Sequence, residues 1–223
     1  MTSLKLTFLG HACFLLDDGR YKVLTDPYLT GNPLAAVQAD SVEADYICVT
    51  HGHSDHTGDT EAIARRTGAK ICCPVELGSA VFASQGLETM PANLGGTCKL
   101  PFGSVKLVPA LHGSGVAGSL ACGFLFEMGG KKIYHAGDTA LISDMALLEE
   151  EHVDVALLPI GDVYTMGPAD ALRAVKMIRP KLVIPMHYNT FPLIIQDPNA
   201  FADAVKNAGF QATVLQPGES ISL

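Results

Sequence analysis

Short apolar runs, alternating in some places and continuous in others, are broken at intervals by glycine and proline along this chain. Leu4, Leu6 and Phe8 fall on every second position near the start, as a half-buried strand requires. The N-terminal stretch over 1–10 therefore reads as a strand and not as a charged segment leading into an apolar one. The first half predicts strands over 5–9, 12–17 and 21–25, with Asp18-Gly19 as the hairpin turn between the last two. Asp26-Pro27 ends that run, and a turn-rich loop follows through Asn32-Pro33. A strand over 46–50, a helix over 61–66 closed by Gly68, a strand over 70–73 and a helix over 75–85 come next.

The second half predicts strands over 105–109, 121–128 and 132–135, with Gly129-Gly130 as a tight turn. A helix over 145–151 precedes a continuously apolar strand over 155–160. A helix over 168–178 starts with proline and carries Asp170 near its positive end. A second continuous strand over 182–186, a helix over 198–207 ended by Gly209 and a last strand over 211–215 complete the pattern. Continuous apolar strands beside amphipathic helices imply an α/β chain whose sheets are buried by helical layers. The 223 residues suit a single domain over 1–223, or two intimately fused halves.

Composition narrows the function. Hydrophobic residues make up 48% and charged residues 17%, enough apolar material for a large core. No stretch reaches the roughly 18 unbroken apolar residues of a membrane span. With no export signal read at the start, the expected compartment is the cytoplasm. The net charge of −8, with no basic run, argues against a stable nucleic-acid partner. The six cysteines match no zinc-finger spacing, and most lie in apolar runs as small buried hydrophobes.

The chemistry concentrates in His51-Gly52-His53-Ser54-Asp55-His56, directly after the apolar run over 46–50. Three of the chain's eight histidines and a carboxylate fall within six residues. Imidazole and carboxylate are the ligand types that suit zinc, manganese, iron and nickel. His112, Asp138 and His187 add further candidates, and Asp138 follows Gly137, which lets the backbone approach closely. The strands over 46–50, 132–134 and 182–186 each end just before such a residue. Rigid strand ends are where binding groups commonly gather. Seven groups suffice for two metal ions that share one carboxylate.

The pattern His-x-His-x-Asp-His followed by His, Asp and His resembles the signature of the metallo-β-lactamase superfamily over nearly the full length. The resemblance implies a four-layer αββα sandwich of two similar halves, with the site at one edge of the sheets. It also implies that His51, His53 and His112 hold one metal ion, that Asp55, His56 and His187 hold another, and that Asp138 bridges both. Asp26 matches an early aspartate standing behind the ligands; otherwise it is an Asp-Pro turn. Leu9-Gly10-His11-Ala12-Cys13-Phe14, the stretch from Pro159 to Pro168 and Met186-His187-Tyr188-Asn189-Thr190-Phe191-Pro192 are similar to a family of small metal-dependent hydrolases. That family resembles the ascorbate-6-phosphate lactonases and, more distantly, the N-acyl-phosphatidylethanolamine phospholipases.

The expected chemistry follows from those ligands. Two divalent ions, Asp55, Asp138 and a bridging hydroxide sum to about +1, so the site suits a small anionic substrate. A metal-bound hydroxide would cleave an ester, a lactone or a phosphodiester. Zinc is the first expectation, with manganese, iron and nickel also suited. Asp55 and Asp138 are expected to serve catalysis as well as binding. His11 is expected in the cleft, against substrate, or as a structural turn residue. His135 is expected to orient Asp138 or protonate a leaving group, or else to be packed within its strand. Asp162 and Tyr164 would line the opening, and His152 would sit on the solvated surface. The apolar run over 191–195 would form an interface with a second copy, a lipophilic rim or a buried loop. The competing functions are a nuclease or phosphodiesterase acting on nucleic acid, a diiron oxygen-reducing module and a non-catalytic metal-binding protein. The glutamate expected at the position of Ser54 in the redox class is absent.

Overall fold

Two mixed β-sheets face one another, and strand alternation sorts their side chains. The computed structural model describes residues 3–223, so Met1 and Thr2 of the predicted N-terminal strand stretch lie outside the described residues. In chain order the first sheet's elements are β1 (Lys5–Gly10), β2 (Cys13–Asp17), β3 (Lys22–Thr25), β4 (Tyr46–Cys48), the single-turn helix α1 (Ser54–Thr57), α2 (Thr60–Thr67), β5 (Lys70–Pro74), the short α3 (Val75–Leu77) and β6 (Thr89–Ala92). The second sheet's elements are β7 (Thr97–Leu100), β8 (Gly103–Pro109), β9 (Cys122–Met128), β10 (Lys131–His135), β11 (Val155–Pro159), α4 (Pro168–Ile178), β12 (Leu182–Met186) and α5 (Pro198–Asn207). The last strand, β13 (Ser220–Ser222), returns to the first sheet. The strand orders are β13-β1-β2-β3-β4-β5-β6 and β12-β11-β10-β9-β8-β7.

Neighbouring residues on one strand feed different cores. Tyr46, Cys48 and Cys72 join the large cluster between the sheets, while Ile47, Val49, Ile71 and Cys73 join a second cluster with Ile63 and Ala64 of α2. This is the period-2 consequence of a sheet buried on both faces. On the far side, α4 packs on β11 and α5 on β12. The result is the expected αββα sandwich. Burial of Phe14, Phe124, Phe126, Tyr134 and Phe201 beneath less than 2% exposure supplies much of the drive, at roughly 25 cal/mol per Å2 of apolar surface.

Several predicted elements shift. The helix predicted over 75–85 follows a continuous helical path but widens to a π turn over Gly78–Phe82 and tightens to 3-10 over Ala83–Gln85. The helix predicted over 145–151 is a 3-10 segment over Ser143–Glu149. The strand predicted over 211–215 is reduced to one bridge, Ala212 against Val183. Its apolar signal comes from packing of Ala212 and Leu215, and the pairing role falls to β13, beside β1. No helix among the described residues is long and apolar enough to cross a membrane. All six cysteines are free.

Candidate metal centre

The parallel strands of both sheets end on one edge, and the histidines follow directly. β3, β4, β5 and β6 run parallel, as do β10, β11 and β12. Beyond β4, the buried Val49 and Thr50 deliver His51, and the single turn of α1 presents Asp55 and His56 side by side. A Cβ on Gly52 would stand 2.5 Å from Val116 Cγ2, so only glycine lets the loop over 113–116 close on His53. Gly137 has φ +60, and a Cβ there would meet Cys122 O at 2.7 Å. Asp138 is thereby drawn against the start of β9. His112 reaches the same place from the loop after β8, which is tied down by Leu111 N–H donating to Thr139 Oγ1 at 3.0 Å. His187 follows β12.

Three groups of donor atoms result among the described residues, two of them separate and the third, His51, His56 and Asp138, joining them, and each could hold a metal ion. His51, His53 and His112 form the first, with His51 Nε2 at 2.9 Å and His112 Nε2 at 3.2 Å from His53 Nδ1. Asp55, His56, His187 and also His11 form the second. Asp138 lies between them: Oδ1 is 3.2 Å from His56 Nε2, while Oδ2 is 3.1 Å from His187 Nε2 and 3.5 Å from His112 Nε2. His56 Nε2, Asp138 Oδ1 and both ring nitrogens of His187 are buried without a well-aligned hydrogen bond among the described residues, although Asp138 faces both imidazoles as an ion-pair partner. An unsatisfied buried polar atom costs about 1–3 kcal/mol. Orphans converging with this donor chemistry fit a divalent cation.

Asp26 stands behind both groups, fully buried with φ 37. Its Oδ1 accepts from Thr50 N–H at 2.8 Å, and its Oδ2 lies 2.8 Å from both Thr50 Oγ1 and His56 Nδ1. Thr50 Oγ1 in turn lies 2.9 Å from His51 Nδ1. Holding Nδ1 in this way directs Nε2 toward a metal, the usual outer arrangement of a ligating histidine.

Electrostatics express the same crowding. Burial would lower His56, yet Asp138 and Asp26 outweigh it and raise it well above the ordinary histidine value. Burial also opposes the charge on His187, but Asp138 wins and lifts it to about 9. Burial would raise Asp138, whereas His56 and His187 hold it well below the carboxylate range. His51, desolvated and beside His56, falls to about 2. Two protons thus balance the carboxylates where cations would otherwise sit.

The other sequence candidates separate. His11 is fully buried in the β1–β2 turn, with Nε2 3.1 Å from Asp55 Oδ2, inside the second group rather than on its open side. Of the alternatives expected for His135, proton transfer is the one its geometry opposes. Its Nε2 donates to Ala12 O at 2.8 Å and its Nδ1 accepts from Gly137 N–H at 3.2 Å. With both ring nitrogens committed to backbone, it has no free proton for a leaving group; it anchors the turn before Asp138. Asp162 and Tyr164 lie exposed on the loop after β11, and His152 is exposed. In the run over 191–195, Ile194 is buried while Leu193 and Ile195 are 60% and 69% exposed.

Sequence reasoning gave no role to Tyr28 or Thr50, and named Thr190 and Phe191 only within a family motif and an apolar run. Tyr28 and Phe191 stack with ring centroids 6.1 Å apart, and each meets the His11 ring edge-on. Thr190 Oγ1 lies 2.6 Å from His11 Nδ1. Thr50 and Thr190 each stand within three residues of a ligand candidate, the one positional signal they share. An open cavity beside Asp55 is lined by Tyr28, Thr30, Ser54, Gly58, Asp59 and Phe191. A more apolar depression by Leu107, Tyr134, Met145 and Leu148 has no histidine in its lining and carries no such chemistry.

This fold and donor set define a metallohydrolase, and the chain belongs to the metallo-β-lactamase superfamily: the family model described as a Beta-lactamase superfamily domain matches residues 5–187. Within it, the chain is 51% identical over 225 residues to a UPF0173 metal-dependent hydrolase of Symbiobacterium thermophilum, covering 99% of this chain and 100% of that one. A UPF0173 metal-dependent hydrolase of Thermus thermophilus is 48% identical over 224 residues, covering 98% and 99%. Among solved structures, Igni18, a metallo hydrolase from the archaeon Ignicoccus hospitalis, superposes with a TM-score of 0.94 at 39% identity, covering 100% of this chain and 99% of that one. The UPF0173 metal-dependent hydrolases are thus the particular group in which this chain falls.

Proposed function

We propose that this protein is a dinuclear metal-dependent hydrolase that cleaves an ester, lactone or phosphodiester bond in a small anionic substrate. The carrying observation is the convergence of buried His56 Nε2, His187 Nε2 and Asp138 Oδ1, none with a well-aligned hydrogen bond, among the other imidazoles and Asp55. His51, His53 and His112 would hold one cation, Asp55, His56 and His187 the other, and Asp138 both. Two bound divalent cations supply a water acidified from a pKa of 15.7 to about 7 and a Lewis acid for the substrate oxygen.

The chain's own residues do the rest. Asp26 and Thr50 hold His56 and His51 with their Nε2 atoms turned to the cluster. The buried His51, His56, Asp138 and His187 keep bulk water from the inner side of the cluster, so charge held there is screened less than in solution. The cavity bordered by Tyr28, Ser54, Asp55 and Phe191 gives a substrate its approach. Zinc is the first candidate metal, and manganese, iron and nickel suit the same donors.

The test combines elemental analysis with turnover of bis-p-nitrophenyl phosphate and a panel of lactones and esters. Two equivalents of metal and metal-dependent cleavage of at least one substrate are expected. A metal-free protein that hydrolyses as fast as the loaded one would overturn the reading.

A further inference from the structure

Building on that dinuclear reading, we propose that His11 is itself a metal ligand, its Nε2 completing the second position beside Asp55, His56 and His187. Four observations carry it. The donor atoms of these four residues all lie within 4.8 Å of one another. Metal–nitrogen bonds run about 2.0–2.1 Å, so two ligands at right angles on one ion stand about 3.0 Å apart. His11 Nε2 is 3.1 Å from Asp55 Oδ2, matching the 3.2 Å and 3.1 Å that separate Asp138 from His56 and His187.

The ring is also oriented as two of the other ligand rings are. At His51 and His56 a side-chain oxygen, from Thr50 or Asp26, holds Nδ1 and Nε2 faces the cluster. His11 repeats this plan with Thr190 Oγ1 at 2.6 Å from its Nδ1. An Nδ1–H donating to that hydroxyl leaves the Nε2 lone pair free to bind.

The backbone fixes the ring in place. His11 has φ 59 and His187 has φ 55, uncommon values for residues with a side chain, and His187 N–H donates to His11 O at 2.8 Å. Such strain persists only where surrounding structure over-determines it. The His11 ring is fully buried, with Tyr28 and Phe191 against its edges, so it has no room to swing toward substrate.

The assignment makes the two positions unequal. The second position has five protein donors, from His11, His56, His187, Asp55 and Asp138; the first has four, from His51, His53, His112 and Asp138. A five-donor shell suits an ion that accepts five or six ligands, rather than the four of a structural zinc. The competing arrangement has Nε2–H donating to Asp55, with Thr190 donating into Nδ1; His11 would then only position the carboxylate.

Cadmium-113 bound to protein labelled with nitrogen-15 at histidine separates the two. One-bond coupling between metal and nitrogen at His11 Nε2, along with coupling at the five other imidazoles, is expected in the unaltered protein. Coupling at those five with none at His11 overturns the proposal. In His11→Gln, the second equivalent of cadmium should bind more than about 10-fold more weakly while the first is unchanged. Unchanged affinity for both equivalents also overturns it. Unaltered protein that binds fewer than two equivalents refutes the dinuclear reading itself, an outcome distinct from a missing His11 coupling.

Discussion

The two proposed metal positions are built from similar side chains in opposite ways. His51 and His53 come from one loop, and His112 joins them from a loop whose side chain is still 15% exposed. The donors of the second position come from the β1–β2 turn, α1 and the segment after β12, with His11 and His56 fully buried and His187 1% exposed. Left-handed backbone at His11, Asp26 and His187 gathers around this second position, whereas none of His51, His53 and His112 carries it. Donors close in sequence can assemble with their loop. Donors drawn from remote elements meet only when both sheets have docked, so on the dinuclear proposal the fold would prebuild the second position and leave the first more adjustable.

The sharpest way to break this contrast is at the residue both positions share. Asp138→Asn should empty both positions and abolish turnover, read by elemental analysis and substrate hydrolysis. A variant that keeps one ion at full affinity would show the positions to be independent. Asp26→Asn comes next. It strikes His56 directly and His51 only through Thr50, so affinity should fall about 10–100-fold at the second position and less at the first, measured by calorimetric titration.

Proton competition gives a smaller effect. In metal-free protein the His187 imidazolium pairs with Asp138, and its value is raised from 6.5 to about 9. That stability is fully present below pH 6.5 and is lost as pH rises through about 9. Melting temperature should therefore fall across that window with chelator present. Metal-loaded protein should fall less, because cations replace the protons; parallel curves would contradict the pairing. The smallest effect is expected at the exposed pair Leu193 and Ile195. Serine at either should alter stability by no more than about 0.5 kcal/mol in urea denaturation and leave metal content unchanged. A change in metal content would extend the second position outward.

The legible parts of the molecule were those with strong local period. The continuous strands β11 and β12 and the helices α4 and α5 stood out because burial on one or two faces imposes a pattern on consecutive residues. β6 escaped because Pro91 interrupts a short run, and it is an edge strand, where proline is tolerated. β7 is an edge strand too, half-exposed and weakly patterned. α1 is one turn long, too short to show helical spacing. The helix over 75–85 changes pitch at Gly78, where a Cβ would stand 3.1 Å from Cys73 Sγ, a packing constraint no local pattern records. At the metal centre the ligand types were readable, since few other purposes bring imidazoles and carboxylate so close together. The roles of His11 and His135 were not, because each depends on what faces its nitrogens from distant segments. Asp26 was readable only as a choice between turn and support.

Thr50 has a single hydroxyl hydrogen, yet its oxygen sits 2.8 Å from Asp26, 2.9 Å from His51 and 3.4 Å from His56. Charge drawn from His51 by an arriving cation strengthens its pull on that oxygen, which in turn leans harder on Asp26. The carboxylate then has less to lend His56. On the dinuclear proposal, occupancy on one side would weaken the other's grip, and filling would proceed in two unequal stages.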